Sequence, residues 1–350
     1  METLEDRVLS CLRSVTIGVD GQDIVSAGHV HSVAATGNTV RVLIDPDIVP
    51  MDARDDLANL IAPIVQDVGG VERVVVKPRP QSPAGIKPLP GVRHIVLIHS
   101  GKGGVGKSTL AVNLALALAQ DGLKIGLLDA DVYGPSAPLL LGLKARIDPN
   151  RCETKITPLE AHGIKVMSLG FLMPREQALI WRGSLVDEGV VQLFNDVDWG
   201  ELDILIVDMP PGTSDVHLAL AHRFVISGVL TVTTPGQTSV EDVRRGMEMF
   251  ADLAVPALGI VENMAGISCK SCGHQHLLFG AHGGSELEKI TGVPLLARLP
   301  FQPDIAAHAE KGEPVVMAEP DSPSAVMMHE VARALSGILI NPSKRYGMSS

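Results

Sequence analysis

Hydrophobic positions along the chain alternate between short continuous runs and helical spacing, and this alternation predicts the secondary structure. Beyond about residue 92, seven apolar runs predict strands at Ile95–His99, Lys124–Leu128, Lys165–Leu169, Ile204–Val207, Val229–Thr233, Leu258–Val261 and Pro294–Arg298. Helical patterns predict helices at Ser108–Gln120, Leu185–Asn195, Asp215–Arg223, Val240–Leu253, Gly284–Thr291 and Ser324–Ile338. Buried strands between helices indicate an α/β fold, with a mostly parallel sheet covered by helices on both faces.

A smaller α+β unit precedes this pattern. Its expected order is a helix that uses Leu4 and Val8, a strand near Ile24–Val33, a strand at Thr39–Ile44, a helix near Arg54–Gln66 and a strand at Val71–Val76. The next segment carries five prolines, which favour extended chain and predict a linker. We therefore expect a small domain at 1–76, a linker at 77–91, a large domain at 92–340 and a loose tail at 341–350.

A glycine-rich loop follows the first strand of the large domain and supplies the first candidate chemistry. Its sequence fits the phosphate-binding pattern at every fixed position, in the run Gly101, Lys102, Gly103, Gly104, Val105, Gly106, Lys107, Ser108 and Thr109. Backbone N–H groups of such a loop and the following helix N-terminus bind phosphate. We expect Lys107 to reach the β- and γ-phosphates of ATP, and Ser108 to bind Mg²⁺.

Carboxylates follow two further apolar runs, where a phosphoryl-transfer site needs them. Asp208 ends Leu205–Asp208 and is expected to hold Mg²⁺ through water, while Asp129 and Asp131 end the run before Tyr133. A carboxylate in this second position can orient the attacking water. Asp is also common in plain turns, but three acids after buried strands and downstream of a phosphate loop favour a catalytic site.

Cys269 and Cys272 form a C-x-x-C turn, which places two thiolates together for a soft metal. Two thiolates are half of a coordination shell. The close spacing of His274 and His276 disfavours a zinc site completed within one chain. Four thiolates from two chains suit a [4Fe–4S] cluster, although zinc accepts the same ligands. A redox pair is a third reading, disfavoured because the two cysteines lie too far from a first βαβ unit to resemble thioredoxin.

Composition excludes several classes of protein. The formal net charge is −11 and no basic run occurs, which argues against a nucleic-acid binder. No apolar window is long enough to span a membrane. Four cysteines do not make a disulfide framework, and the expected compartment is the reducing cytoplasm. Of the other cysteines, Cys11 is expected in the core of the small domain, and Cys152 has no assigned role.

The phosphate loop resembles the deviant form of the superfamily that contains the nitrogenase iron protein, MinD and ParA. The resemblance implies that Lys102 reaches the nucleotide of a partner subunit, so that ATP joins a homodimer. It also implies that Asp131 orients the attacking water, that Asp129 lies nearer the metal, and that Asn263, in the Val261–Met264 motif, hydrogen-bonds the adenine.

Six motifs in order resemble the Mrp/ApbC iron–sulfur carrier ATPases. They are the phosphate loop, the Asp129–Ser136 segment, the Trp181–Gly183 element, the Val207–Thr213 segment, the Val261–Met264 segment and the cysteine pair. The small domain is similar to the iron–sulfur-assembly domain often fused to this family, through Asp23–Gly28 and Gly37–Val42. This chain departs from the family pattern in lacking a cysteine around Asp45–Pro46, and in carrying Lys270, Ser214 and Ser184.

The resemblance implies a cytoplasmic, homodimeric, slow ATPase that holds a [4Fe–4S] cluster between subunits. It would receive the cluster from an assembly scaffold and deliver it to apo iron–sulfur proteins. One alternative is a MinD/ParA-like positioning ATPase with a structural zinc at the cysteine pair. The sequence shows no basic amphipathic helix or DNA patch to favour it. An electron donor like the nitrogenase iron protein would need two well-separated ligand cysteines per chain.

Overall fold

The computed structural model describes residues 3–16, 22–36, 38–45, 48–49, 53–78, 86–132, 134–148, 155–172, 184–269 and 271–340. The chain divides into two compact units. The smaller comprises residues 1–83 and 289–292, and the larger comprises residues 84–288 and 293–350. Residues 86–91 pack with the larger unit, since Leu89 is buried there and the Lys87 N–H donates to the Arg223 carbonyl at 3.1 Å.

The smaller unit packs two helices against a three-stranded sheet. Its elements are α1 (Leu4–Leu12), β1 (Val30–Thr36), β2 (Thr39–Ile44), α2 (Arg54–Gln66) and β3 (Arg73–Pro78). The sheet order is β1-β2-β3, with β1 antiparallel and β3 parallel to β2. Alternate residues of β2 point into the core, which Val8, Leu12 and Ile61 complete.

The strand predicted near Ile24–Val33 begins later than expected. The Asp23 carboxylate accepts hydrogen bonds from the backbone N–H groups of Val25 and Ser26, at 3.0 and 2.8 Å. These bonds hold the following residues in a turn, and Gly28 completes it with a left-handed φ of 76°. The strand therefore forms only from Val30, and the prediction was wrong in its first half.

The larger unit is built on an eight-stranded sheet. Its strands are β4 (Val92–Ser100), β5 (Ile125–Asp129), β6 (Leu159–Ala161), β7 (Ile164–Ser168), β8 (Leu202–Asp208), β9 (Gly228–Thr233), β10 (Ala257–Asn263) and β13 (Leu295–Leu299). The order is β13-β10-β9-β4-β8-β5-β7-β6, and every neighbouring pair is parallel except β6 with β7. A small antiparallel ribbon, β11 (Ile267–Ser268) and β12 (Gln275–His276), lies outside this sheet.

The helices of the larger unit cover both faces of the sheet. They are α3 (Lys107–Gln120), α4 (Ala137–Leu140), α5 (Leu169–Leu172), α6 (Ser184–Asp196), α7 (Asp215–Arg223), α8 (Gln237–Asp252), α9 (Gly283–Thr291), α10 (Pro303–Lys311), α11 (Val315–Ala318) and α12 (Pro323–Ile340). The crossover through α3 runs along the sheet in one direction, and those through α7 and α8 run in the other. Right-handed crossovers therefore place them on opposite faces.

The predicted fold class is confirmed, and all seven predicted strands of the large unit are present. The edge strand β6, the ribbon β11–β12 and helices α4, α5, α10 and α11 were not predicted. The strands among these have only two or three residues, too few for an alternating pattern to stand out. Within the described residues, no helix is long and apolar enough to cross a membrane. The predicted tail at 341–350 lies outside them.

Candidate nucleotide site and cysteine pair

The glycine-rich loop lies at the carboxyl edge of the sheet, between the central strand β4 and α3. On either side of β4 the crossovers run in opposite directions, and such a switch point forms the binding crevice of open α/β sheets. Gly104 and Gly106 have left-handed φ values of 80° and 86°, which other residues rarely adopt. A Cβ on Gly101 would lie 2.5 Å from the Val243 amide nitrogen, so this glycine permits close packing against α8.

Lys107 and Asp208 form a buried ion pair at this edge. The Nζ–Oδ1 distance is 2.6 Å, and the side chains are only 6% and 1% exposed. Lys107 Nζ also lies 3.4 Å from Ser108 Oγ. The second carboxylate oxygen of Asp208, Oδ2, is buried and accepts no hydrogen bond within the described part of the chain, so it can accept one from a water of a metal's hydration shell.

Asp129 is the residue on β5 that faces Asp208 on β8 in the sheet register. Burial, together with the negative charge of Asp208, raises the pKa of Asp129 to about 8. Burial also raises the pKa of Asp208, against the opposing effect of Lys107. Because these two buried carboxylates lie side by side, a cation bound between them would reduce their mutual repulsion. The donor set of Asp129, Asp208 and the Ser108 hydroxyl fits Mg²⁺, which prefers oxygen ligands and retained waters.

Neighbouring backbone groups hold Asp129 in place. Its carboxylate accepts from the N–H groups of Asp131 and Ala137, at 3.2 and 3.0 Å. Asp131 is half-buried, and its Oδ1 accepts from the Gly134 N–H at 3.3 Å. Its charge raises the pKa of Asp208, which places Asp131 beside the same cluster. The structure thus brings Lys107, the Ser108 hydroxyl and the three predicted acids together.

Lys102 is not part of that cluster. Its side chain is exposed, and its Nζ lies 3.4 Å from Thr238 Oγ1 near the start of α8. Asn263 ends β10, and its Nδ2 donates to the Val105 carbonyl of the phosphate loop at 2.8 Å. Gly106 lies against this amide, where a Cβ would collide with Nδ2. The roles of both residues toward a nucleotide stay predictions.

A buried histidine pair under the loop was missed from the sequence. The rings of His99 on β4 and His217 on α7 meet edge to face, with centroids 5.3 Å apart, and both contact Phe250. Burial lowers their pKa values to about 3 and about 4, so both are neutral at pH 7. The Ser214 N–H donates to His217 Nδ1 at 3.1 Å, which ties the loop after Asp208 to α7. One signal was visible, a histidine inside the apolar run of β4.

The cysteine pair lies on the turn between β11 and β12. The Cys269 N–H donates to the His274 carbonyl, and the Gly273 N–H donates to the Cys269 carbonyl, both at 2.9 Å. Cys269 is half-buried and Cys272 is exposed. Hydrogen bonds from the backbone of Cys272 and then Ser271 lower the pKa of the Cys269 thiol, which favours the thiolate.

The remaining metal-ligating residues do not gather around this pair. The rings of His274 and His276 contact each other edge to face, with their centroids 4.8 Å apart. Across the described ranges, no group of three or more His, Cys, Asp or Glu residues could hold a metal ion. Cys11 packs against the core of the smaller unit, as expected. Cys152 and the Trp181–Gly183 element lie outside the described residues.

One known protein family matches most of the larger unit. A family profile described as ParA, NUBPL iron-transfer P-loop NTPase, matches residues 91–336. The chain belongs to this family. It is thus a P-loop nucleotide hydrolase of the iron-transfer NTPases, in agreement with the resemblance drawn from the sequence.

Curated relatives are similar to this chain over most or nearly all of its length. It is 39% identical over 353 residues to a Helicobacter pylori protein named iron-sulfur cluster carrier protein, covering 97% of this chain and 94% of the relative. A Pseudomonas fragi protein of the same name is 45% identical over 250 residues, covering 71% and 87%.

Solved structures of the large unit's fold include one from Archaeoglobus fulgidus, a nucleotide-binding protein in complex with ADP. It is 33% identical, with a TM-score of 0.57, covering 68% of this chain and 92% of that one. The septum site-determining protein MinD with Mg-ADP from Pyrococcus horikoshii is 22% identical, with a TM-score of 0.55, and covers 71% and 98%. The second likeness concerns the fold alone.

Proposed function

We propose that this protein is a cytoplasmic, homodimeric, ATP-dependent carrier that holds a [4Fe–4S] cluster between two copies and transfers it to apo-proteins. The observation that carries the proposal is the turn with half-buried Cys269 and exposed Cys272, which has two thiols and no group of further metal ligands among the described residues. Four thiolates complete a cubane cluster's shell, and a second copy would supply the missing two. The iron-transfer family and the carrier names of relatives agree with this cargo.

The nucleotide would bind along Gly101–Thr109, with the adenine near Asn263. Lys107 would then exchange its contact with Asp208 for phosphate oxygens, and so free Asp208 to hold a metal's waters. Mg²⁺ held by Ser108, Asp208 and the waters near Asp129 would neutralise charge on the β- and γ-phosphates. Asp131 would orient the water that attacks the γ-phosphorus, and the bond to the bridging oxygen would break to leave ADP and phosphate.

Two contacts would link this reaction to the cargo. Asn263 joins the phosphate loop to the end of β10, and the chain enters the cysteine ribbon four residues later. The base of the ribbon is fixed by the Phe301 N–H, which donates to the Gly266 carbonyl at 2.7 Å. A movement of the loop on nucleotide binding would therefore reach Cys269 through one short segment.

The domain roles complete the proposal. Residues 92–340 would carry the ATPase and the cluster, and residues 341–350 would act as a tail. The linker predicted at 77–91 would be shorter than expected, because β3 runs to Pro78 and residues 86–91 pack with the larger unit. Residues 1–76 would serve as an assembly-like module that meets the scaffold from which the cluster comes. We assign no nucleic-acid or membrane partner, given the acidic chain.

Anaerobic reconstitution with iron and sulfide tests the cargo. We expect about four iron and four sulfide per dimer, and none in the Cys269→Ala/Cys272→Ala variant. Cys11→Ala is the matched control and should load like the wild type, because Cys11 packs in the smaller core. Stoichiometric zinc with no stable cluster would overturn the carrier and leave a zinc-linked switch ATPase.

A further inference from the structure

The segment around the cysteine pair is unusual in both exposure and charge. Residues 271–282 are all exposed, and no Asp, Glu, Lys or Arg occurs among them. Charged residues make up 20% of the chain, which carries a formal net charge of −11. We call residues 271–282 the hairpin face. An exposed stretch without charge is the composition expected at the centre of a protein interface.

Three consecutive apolar side chains lie on this face. Leu277, Leu278 and Phe279 are 57%, 59% and 44% exposed. Each exposes apolar surface to water, and three such residues in succession are a candidate interaction site. We call these three residues the patch. They directly follow β12, so they lie at the base of the same ribbon that carries the cysteines at its turn.

The patch contacts neighbouring residues of the same chain. A Cβ on Gly266 would lie 3.4 Å from Leu277 Cδ2, and the rings of Phe279 and Phe301 are 6.5 Å apart. Beyond the patch, a Cβ on Gly283 would lie 2.5 Å from the Pro235 carbonyl oxygen. Backbone therefore packs directly on backbone just after the end of the segment, at Gly283.

We propose that Leu277, Leu278 and Phe279 dock against a second copy of this chain and form an apolar rim around the shared cysteines. The inference rests on the proposed function, because a four-thiolate site is incomplete without that copy. Thiolates that share one cluster must approach within a few ångströms, and in a two-fold contact the residues near the axis meet their own copies.

Charge favours this occupant over an unrelated protein. Two copies of a chain with a formal charge of −11 repel each other over most of their surfaces. The hairpin face carries no Asp, Glu, Lys or Arg and contains Cys272, so two copies can meet on it without bringing like-charged side chains of these types together. The apolar rim then supplies the contact area that the two pairs of thiols alone lack.

Sedimentation equilibrium tests the rim in the full chain, with Mg²⁺ and a non-hydrolysable ATP analogue, before and after reconstitution. The test variant is Leu277→Ser/Leu278→Ser/Phe279→Ser. Val225→Ser is the control. Val225 is 52% exposed and precedes β9, so it lies near the amino ends of the parallel strands, whereas the ribbon follows the carboxyl end of β10. We expect the triple variant to self-associate at least roughly tenfold more weakly, as truncation of buried interface anchors does, and the control to match the wild type.

Leu278→Asp is a second variant for the case that the triple substitution impairs folding. It would bring two carboxylates together across the two-fold axis and should weaken self-association as strongly. ADP binding and the unfolding midpoint report whether each variant is folded.

The outcomes separate this inference from the proposed function. Wild-type self-association in both folded variants overturns the rim, whether or not iron is bound. Normal dimers that load a cluster but fail to pass it to an apo-protein would also overturn it, since the face would then serve an acceptor. Weakened dimers together with a wild type that takes up no cluster would support the rim and overturn the carrier.

Discussion

Lys107 and Asp208 show how a single pair of residues sets the energetics of the site. Each is a charged group that is almost completely removed from water, and each compensates the other. Loss of one partner would leave the other charge buried and uncompensated, which costs about 3–5 kcal/mol in comparable cases. A bound nucleotide and metal would offer each residue a new partner of opposite charge, so binding need not incur that cost.

The burial of His99 predicts how the unfolding free energy of the larger unit depends on pH. Its pKa lies near 3 when folded and near 6.5 when unfolded, so below pH 6.5 only the unfolded chain takes up this proton. The stability contribution is therefore complete above pH 6.5 and is lost as the pH falls toward 3. His99→Leu should make the fall in the unfolding free energy of the larger unit shallower by up to about 1.4 kcal/mol per pH unit.

Urea unfolding between pH 7.5 and 4.5 measures this slope. His217 from α7 and the charge of Lys107 from α3 act on His99, and both remain in the variant, so a residual slope is expected. The exposed His222, on the same helix as His217, supplies the control variant His222→Leu, which should keep the wild-type slope. An unchanged slope in His99→Leu would contradict the prediction.

Lys102 makes a second prediction at this scale. Its contact with Thr238 is long and exposed, so its loss should leave the stability of a single chain unchanged within about 0.5 kcal/mol. If Lys102 reaches the partner's nucleotide, Lys102→Ala should weaken ATP-dependent dimerisation roughly tenfold or more while ADP affinity stays near wild type. Light scattering with and without ATP measures the effect, and Thr238→Ala is the control. Normal dimers of Lys102→Ala would rule out the trans role.

At the scale of elements, helix α3 is buried on all sides along most of its length. Its residues from Leu110 to Leu118 are buried, because the sheet covers one side and α12 packs on the other. Such a helix has no polar face, and only its length and its position after the phosphate loop distinguish it from a strand in the sequence. Its amino end, left free of side-chain caps, presents backbone N–H groups to the nucleotide edge.

Helix α12 contains a glycine whose replacement should stabilise the protein. Gly337 lies inside the helix, and a Cβ there would meet nothing within 4 Å. Because glycine loses more backbone entropy on folding than alanine, Gly337→Ala should raise the unfolding free energy by about 0.5–1 kcal/mol. Denaturant titration of the larger unit measures this change.

The opposite result is expected in strand β5. A Cβ on Gly126 would lie 2.6 Å from Leu202 Cδ1 and 3.2 Å from Trp199 Cε3, so Gly126→Ala should lower the unfolding free energy by about 1–3 kcal/mol. For the substitution in α12, a decrease in the unfolding free energy of Gly337→Ala would contradict the open space found around Gly337.

At the scale of the whole molecule, the two units have separate hydrophobic cores. Ile61 is completely buried in the smaller core, and Leu114 is completely buried in the larger one. Ile61→Ala should therefore lower the unfolding free energy of the smaller unit by about 2–5 kcal/mol, and leave nucleotide binding and iron content unchanged. Leu114→Ala should act on the larger unit instead.

Differential scanning calorimetry, with ADP added in a parallel run, assigns the two transitions. ADP should raise only the transition of the larger unit, because a ligand stabilises the unit that binds it. A single transition that is shifted both by Ile61→Ala and by ADP would mean that the two units unfold together.

The sequence alone determined the features that depend on local chain chemistry. The phosphate loop could be predicted because its glycines answer a backbone requirement, and the strands because buried parallel strands are continuously apolar. Asp129 and Asp208 could be placed at one edge because the carboxyl ends of parallel strands meet there. The family, too, could be inferred from the order of such local motifs.

Only the tertiary structure decided what depends on strand order and on surfaces. The Lys107–Asp208 pair joins residues 101 positions apart, and it forms because β8 lies beside β4 in the sheet. The burial of His99 against His217 depends on how α7 and α8 cover that face. The exposure of Leu277–Phe279 could not be read from an apolar run, since the same run in a strand would be core. Burial is a property of the packed molecule, and local sequence does not contain it.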